Sequence, residues 1–153
     1  MIPEVKLNDL YQEVILDHNR RPRNFGTLTD ASAVAHGVNP LCGDHFDLYL
    51  ALSGGTIRQI RFDGDGCAIS KASASMMTQA VEGKTNGEAG KLAGHFIHLL
   101  TDDTVSDEDR AGVGKLKFFE GVKNFPIRVK CATLAWRALE EALSGNEKEI
   151  STE

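Results

Sequence analysis

The sequence predicts an α+β fold, a small antiparallel β-sheet of about three strands packed against helices. Three observations predict it. Phe46, Leu48, Leu50 and Leu52 alternate with Asp47, Tyr49, Ala51 and Ser53, which is the period of a half-buried strand. Gly54-Gly55 then signals a hairpin turn, and residues 57–62 return as a second strand. Beyond Gly66 the apolar spacing becomes helical and stays so, which segregates strands early and helices late.

The elements follow in order. Leu7, Leu10, Tyr11, Val14 and His18 share one face of an amphipathic helix that ends before Pro22. Arg20, Arg21 and Arg23 then form a basic cluster able to dock an acidic surface, and residues 24–32 read as a connector. Residues 33–38 supply a third strand, and Gly64-Asp65-Gly66 ends the sheet. Helices are expected over 68–81 and 87–100. Residues 102–109, with Asp102, Asp103, Asp107, Glu108 and Asp109, read as an exposed acidic connection. A last helix starts near Pro126, with Cys131, Leu134, Ala135, Ala138, Leu139 and Ala142 on its apolar face. Gly145 is its stop, and the tail from about 145 is expected to fray.

A length of 153 residues argues for one domain spanning 1–153, and a 41% hydrophobic content is enough for a sizeable core. A net charge of −5 argues against a nucleic-acid footprint or an anionic membrane surface as partner. No apolar run approaches the roughly 18 residues that cross a bilayer. The opening Met1-Ile2-Pro3-Glu4-Val5-Lys6 has no charged leader followed by an apolar stretch, so no secretory signal is expected. An odd number of cysteines, three, cannot pair fully within the chain, and a reducing cytoplasm fits them.

Those cysteines carry the chemistry. Cys42 lies in Asn39-Pro40-Leu41-Cys42-Gly43-Asp44, Cys67 in Gly64-Asp65-Gly66-Cys67-Ala68-Ile69-Ser70, and Cys131 in Pro126-Ile127-Arg128-Val129-Lys130-Cys131-Ala132. Three thiols and one carboxylate make a complete tetrahedral set for a thiophilic metal, with one harder position. Pro40 biases Asn39 toward an extended backbone, and continued extension would project Cys42 and Asp44 to one side. Gly43 between them removes side-chain bulk. Read alone, Cys42 serves equally well as a buried apolar cysteine before a turn aspartate. Cys67 opens a helix, where free amides favour an anion, but it also reads as a small residue near a cap. Cys131 on an apolar stripe reads first as a core cysteine. Lys130 beside it reads as an ordinary solvated lysine, or as a cation stabilising a nearby thiolate. Met76 and Met77 read as packing, and His18 as a helix-face or partner-contact residue. His36, His45, His95 and His98 show no shared metal spacing. Spacing alone does not bring three distant cysteines together.

Longer motifs say more. Leu10-Tyr11-Gln12-Glu13-Val14-Ile15-Leu16-Asp17-His18, Pro22-Arg23-Asn24, the Cys42 and Cys67 motifs running on to Met76-Met77, and Lys130-Cys131-Ala132 occur in order. Together they resemble the iron–sulfur cluster assembly proteins of the IscU/NifU N-terminal superfamily, from about Leu7 to Leu143. Three departures from the Isc branch resemble the SufU branch. Lys130 stands where Isc-type scaffolds have a histidine before the third cysteine. Asn124-Phe125-Pro126-Ile127-Arg128-Val129-Lys130 replaces their proline-rich chaperone-recognition motif. Extra sequence occupies residues 83–118 or so.

The resemblance implies a SufE/NifU-like fold and zinc held by Cys42, Asp44, Cys67 and Cys131. It implies that Cys42 accepts persulfide sulfur from a SufS-type cysteine desulfurase. It casts the chain as a cytoplasmic sulfur-transfer partner rather than a stand-alone turnover enzyme, with downstream Suf cluster-assembly components as further partners. The alternative it carries is a scaffold on which a transient iron–sulfur cluster is built and passed to apo-proteins. Zinc suits the first role because it keeps thiols deprotonated and has no redox chemistry of its own.

Overall fold

The computed structural model describes the backbone of residues 4–102, 104–144 and 149–151, and side chains between residues 12 and 144. Helix α1 (Glu4–Arg20) is followed by strands β1 (Ala33–Asn39), β2 (Asp44–Ser53) and β3 (Thr56–Asp65). Helices α2 (Ala68–Val81), α3 (Asn86–Thr101) and α4 (Asp107–Val113) come next, then a 3-10 stretch (Gly114–Asn124) and helix α5 (Pro126–Ser144). Strand β4 (Glu149–Ser151) is the last element. The α+β class and the three-strand antiparallel sheet packed against helices are as the sequence predicts.

β1 pairs antiparallel with β2, and β2 with β3, in the order β3-β2-β1-β4. Phe46, Leu48 and Leu50 face inward from β2 and meet Ile57, Ile60 and Phe62 from β3, all of them buried. Gly54 and Gly55, at φ 60° and 80°, make the two-residue turn that the right-handed strand twist favours. β4 adds a short fourth strand, parallel to β1. The tail expected to fray from about residue 145 is thus described only at 149–151, where its backbone is paired. Gly145 and the side chains of Leu7, Leu10 and Tyr11 lie outside the described residues.

Helix α5 packs on β1, β2 and α2, and so seats the core. Trp136 of α5 is fully buried, stacks on Phe96 of α3 with ring centroids 4.4 Å apart, and donates its indole N–H to Ser73 Oγ of α2 at 3.0 Å. Ser73 Oγ in turn donates to the Ala132 carbonyl at 2.6 Å. These bonds satisfy polar atoms inside an apolar core and fix α2 against α5.

The acidic connection is corrected in part. Residues 107–109 begin α4 rather than a loop, because Ser106 caps it by accepting from the Asp109 amide at 3.1 Å. Asp109 is buried, not exposed, and accepts from or binds His95 Nδ1 at 2.8 Å. That contact, with the Ser106 bonds, holds its carboxyl below the usual range against the cost of burial. His18 is also an interior residue: it is 7% exposed, its Nδ1 lies 2.7 Å from Ser75 Oγ, and burial lowers its pKa.

One backbone position decides whether β2 and β3 can close. Gly64 has φ 125°, and a Cβ there would lie 2.1 Å from the His45 carbonyl oxygen. Gly26, at φ 131°, has nothing within 4 Å of such a Cβ. Both alanine variants incur conformational strain on the order of 1–3 kcal/mol, but only Gly64→Ala adds the clash. Thermal unfolding is expected to show a much larger fall in midpoint for Gly64→Ala than for Gly26→Ala. Equal falls would show that β2 and β3 do not approach this closely.

Candidate metal centre

The centre forms where the β1–β2 hairpin meets the N-terminus of α2 and the start of α5. Asn39 ends β1 directly opposite Asp44, the first residue of β2. The loop between them turns back with the Cys42 amide donating to the Asn39 carbonyl at 3.2 Å. This corrects the expectation of continued extension: Cys42 lies in the turn, and the turn, not strand alternation, carries it toward Asp44. Gly43 takes φ 73° to complete the turn.

Asp44 is 1% exposed, and both carboxylate oxygens are engaged. Oδ1 accepts from the Cys67 amide at 2.8 Å, and Oδ2 accepts from Asn39 Nδ2 at 3.2 Å. A buried carboxylate needs such donors, since its desolvation is otherwise uncompensated. Gly66 makes the approach possible: a Cβ there would lie 2.6 Å from Asp44 Oδ1 and 2.5 Å from Ser70 Oγ.

Cys67 is the N-cap of α2, and its Sγ accepts from the Ser70 amide at 3.4 Å. Cys131 is fully buried on the inner face of α5, as its place on the apolar stripe suggests, and its Sγ accepts from Asn39 Nδ2 at 3.4 Å. Burial, then hydrogen bonds with Cys42 and Asp44, push the Cys131 thiol far above its ordinary value. A bound cation reverses that balance, because the thiolate is then neutralised at contact.

Cys42, Asp44 and Cys131 each offer one ligand atom, all within 4.8 Å of one another. Tetrahedral zinc with Zn–S bonds of about 2.3 Å places its sulfurs about 3.8 Å apart. The cluster therefore fits a thiophilic ion with a modest contraction. Cys67 is outside that group of three, with its thiol at the helix cap, but its charge acts on Cys131. The four residues expected from the sequence thus lie in one place, three of them with converged donor atoms.

Two neighbours escaped the sequence reading. Asn39 read only as the residue before a proline, yet it is fully buried and bonds two of the expected ligands. Arg128 lies one turn before Cys131 on α5. The neighbouring Cys67, and then Cys131, which it hydrogen-bonds, and Cys42 raise its pKa above the ordinary value against the opposing effect of desolvation. Only helical periodicity, three residues back from Cys131, could have signalled it. Lys130, the cation singled out from the sequence, is half-buried beside them. Arg21 and Arg23 of the basic cluster both pair with Asp17, at 3.0 and 2.6 Å. His95 and His98 approach Asp109 at 2.8 and 3.9 Å, well apart in sequence from the cysteine motifs.

A domain with a thiol–carboxylate cluster closed by a three-strand sheet and its helices defines a class, and comparison with known proteins identifies it. Residues 10–151 match the family model for the NifU-like N-terminal domain. The chain is 42% identical over 141 residues to the zinc-dependent sulfurtransferase SufU of Bacillus subtilis, covering 92% of this chain and 94% of that one. It is 43% identical over 138 residues to the iron–sulfur cluster assembly scaffold protein IscU of Streptococcus pyogenes, covering 90% and 85%. A solved structure from Fervidobacterium islandicum AW-1, described as a candidate cluster assembly scaffold for the SUF system, superposes with a TM-score of 0.81 at 36% identity, covering 88% of this chain and 97% of that one. The chain belongs to the NifU-like N-terminal domain family of iron–sulfur cluster assembly proteins.

The donor set makes a direct prediction. Chelation should lower the melting temperature of the metal-loaded wild type. Cys131→Ala should hold no zinc by elemental analysis, and its melting should be indifferent to chelator. Full zinc content in Cys131→Ala would remove that thiol from the set.

Proposed function

We propose that this chain is a zinc-containing sulfur acceptor in iron–sulfur cluster biogenesis, receiving persulfide sulfur on Cys42 from a SufS-type cysteine desulfurase. Cys42, Asp44, Cys67 and Cys131 would hold the zinc. The observation that carries the proposal is the difference in access among converged donors. Cys42 is partly exposed at a loop tip, whereas Asp44 and Cys131 beside it are buried. Of the three converged donors, Cys42 alone can meet a partner; Cys67, also partly exposed, sits at the helix cap outside that group. The likeness to a relative named as a zinc-dependent sulfurtransferase supports the same assignment.

Zinc, when bound, supplies a positive charge that keeps its thiol ligands deprotonated. The chain's own residues supply the rest. In the transfer, the Cys42 thiolate attacks the outer sulfur of the desulfurase persulfide. A new S–S bond forms on Cys42, the partner's S–S bond breaks, and the partner cysteine leaves as a thiolate, so no external oxidant or reductant is consumed. The Arg128 guanidinium lies within reach of this anionic charge. Leu41, Phe125 and Ile127 are 61%, 62% and 57% exposed, each within a few residues of a proposed ligand, and give a partner apolar surface to cover. A groove of about 1010 Å³ lined by His18, Ile69, Met76, Phe118 and Arg128 adjoins them in sequence. A cytoplasmic setting, where thiols stay reduced, goes with this reading, and downstream Suf components would take the sulfur onward.

The second reading is a scaffold carrying a transient iron–sulfur cluster. It is favoured by the thiophilic donors and by relatives named as scaffolds. Two experiments separate the readings. Added to a SufS-type desulfurase with cysteine, the chain should raise alanine output, and Cys42→Ala should abolish the gain. Anaerobic reconstitution of wild type and Asp44→Ala with iron and sulfide should leave both colourless with zinc retained, and Asp44→Ala should accept sulfur more slowly. A stable cluster that displaces zinc from wild type and transfers to an apo-acceptor would favour the scaffold.

A further inference from the structure

We infer that Asn39 is a positioning residue of the metal centre, whose buried amide governs how firmly Asp44 and Cys131 hold an ion. The inference rests on the metal-centre reading above. Asn39 is fully buried, and its Nδ2 spends its donors on two proposed ligands, Asp44 Oδ2 at 3.2 Å and Cys131 Sγ at 3.4 Å. Its backbone carbonyl accepts from the amide of a third, Cys42, at 3.2 Å. One side chain and one carbonyl thus touch the β1–β2 turn, the start of β2 and the start of α5, spanning 92 residues of sequence.

The orientation of the amide is not free. One end of the amide lies against both the Asp44 carboxylate oxygen and the Cys131 sulfur, and only the nitrogen end can donate to both. The consequence is that Asn39 Oδ1 is buried without a hydrogen-bond partner. Interior polar atoms are nearly always satisfied, and a side chain there only for packing would be apolar. The orphaned oxygen therefore marks a residue held for what its N–H groups do. They orient one carboxylate oxygen and draw charge from one sulfur. Partners one bond removed from a metal tune it in this way, and their loss typically costs about 10- to 100-fold in affinity.

The test uses the full chain and cobalt(II) as the probe. Cobalt bound to thiolates gives a charge-transfer band whose energy depends on electron density at sulfur. An N–H donor lowers that density, so Asn39→Leu, which keeps the heavy-atom branching and removes the donor, should move the band to lower energy. Cobalt affinity should fall by about 10- to 100-fold, and cobalt should pass faster to a chelator. Asn39→Thr suits a strand end, also removes the amide, and gives a second reading if the leucine variant does not fold. Ile60→Val loosens the core away from the donors and should leave the band in place. An unmoved band with unchanged affinity in the folded Asn39 variants would overturn the role of Asn39 while leaving the centre intact. A wild type giving no thiolate charge-transfer band would overturn the metal-centre reading itself, and the inference with it.

Discussion

The Asp44 carboxylate is the constraint around which the centre is arranged. It is buried at the start of β2, where a carboxylate needs hydrogen-bond donors brought to it. The Cys67 amide comes from the N-terminus of α2, and the Asn39 amide comes from the end of β1. Two elements are thereby fixed on one oxygen pair, and each brings a proposed ligand or its support. The absence of a side chain at Gly66 is the steric condition for the first of these bonds. The carboxylate is thus an organiser of the hairpin–helix junction as well as a proposed ligand, and a thiol would serve that junction less well, because sulfur is a weaker acceptor.

The rest of the fold presents this junction to α5. The Trp136–Ser73–Ala132 chain of hydrogen bonds and the stack on Phe96 lock α5 against α2 and α3. Gly37 of β1 lets Leu134 approach so closely that a Cβ there would lie 3.0 Å from its Cδ1. Cys131 is one turn from Leu134, so the packing that seats the helix also sets the depth of the thiol. Depth differs among the thiols: Cys131 is fully buried, whereas Cys42 at the turn and Cys67 at the helix cap are partly exposed. The proposed division between an anchoring thiol and a sulfur-accepting thiol rests on that gradient of access from core to turn.

Much of this was legible in the sequence, and the remainder was not for physical reasons. Alternation in residues 46–53 and the Gly54-Gly55 pair revealed the hairpin, because strand period and turn chemistry are local. The apolar stripe of α5 revealed that Cys131 is buried, but a stripe does not say what faces it. The start of helix α4, within the 102–109 connection, has no local signal, because its acidic first turn lacks an apolar period and its support comes from His95, fourteen residues away. β4 is three polar-flanked residues that pair in parallel with β1, a long-range choice with no local signature. Arg20, Arg21 and Arg23 looked like free charge, yet Asp17 on the preceding turn neutralises part of it. The ligand motifs stood out through family resemblance, whereas Asn39 was hidden, because an asparagine before proline is an ordinary turn residue until its burial is known.

The central claim is that Cys42 is the thiol that receives sulfur. The direct measurement is peptide-level mass spectrometry of the chain after incubation with cysteine and a SufS-type desulfurase, with free thiols and persulfides trapped by alkylation. The account predicts one additional sulfur on the peptide containing Cys42, with Cys67 and Cys131 unmodified. Additional sulfur found only on Cys67 or Cys131, or on none of the three, would contradict it.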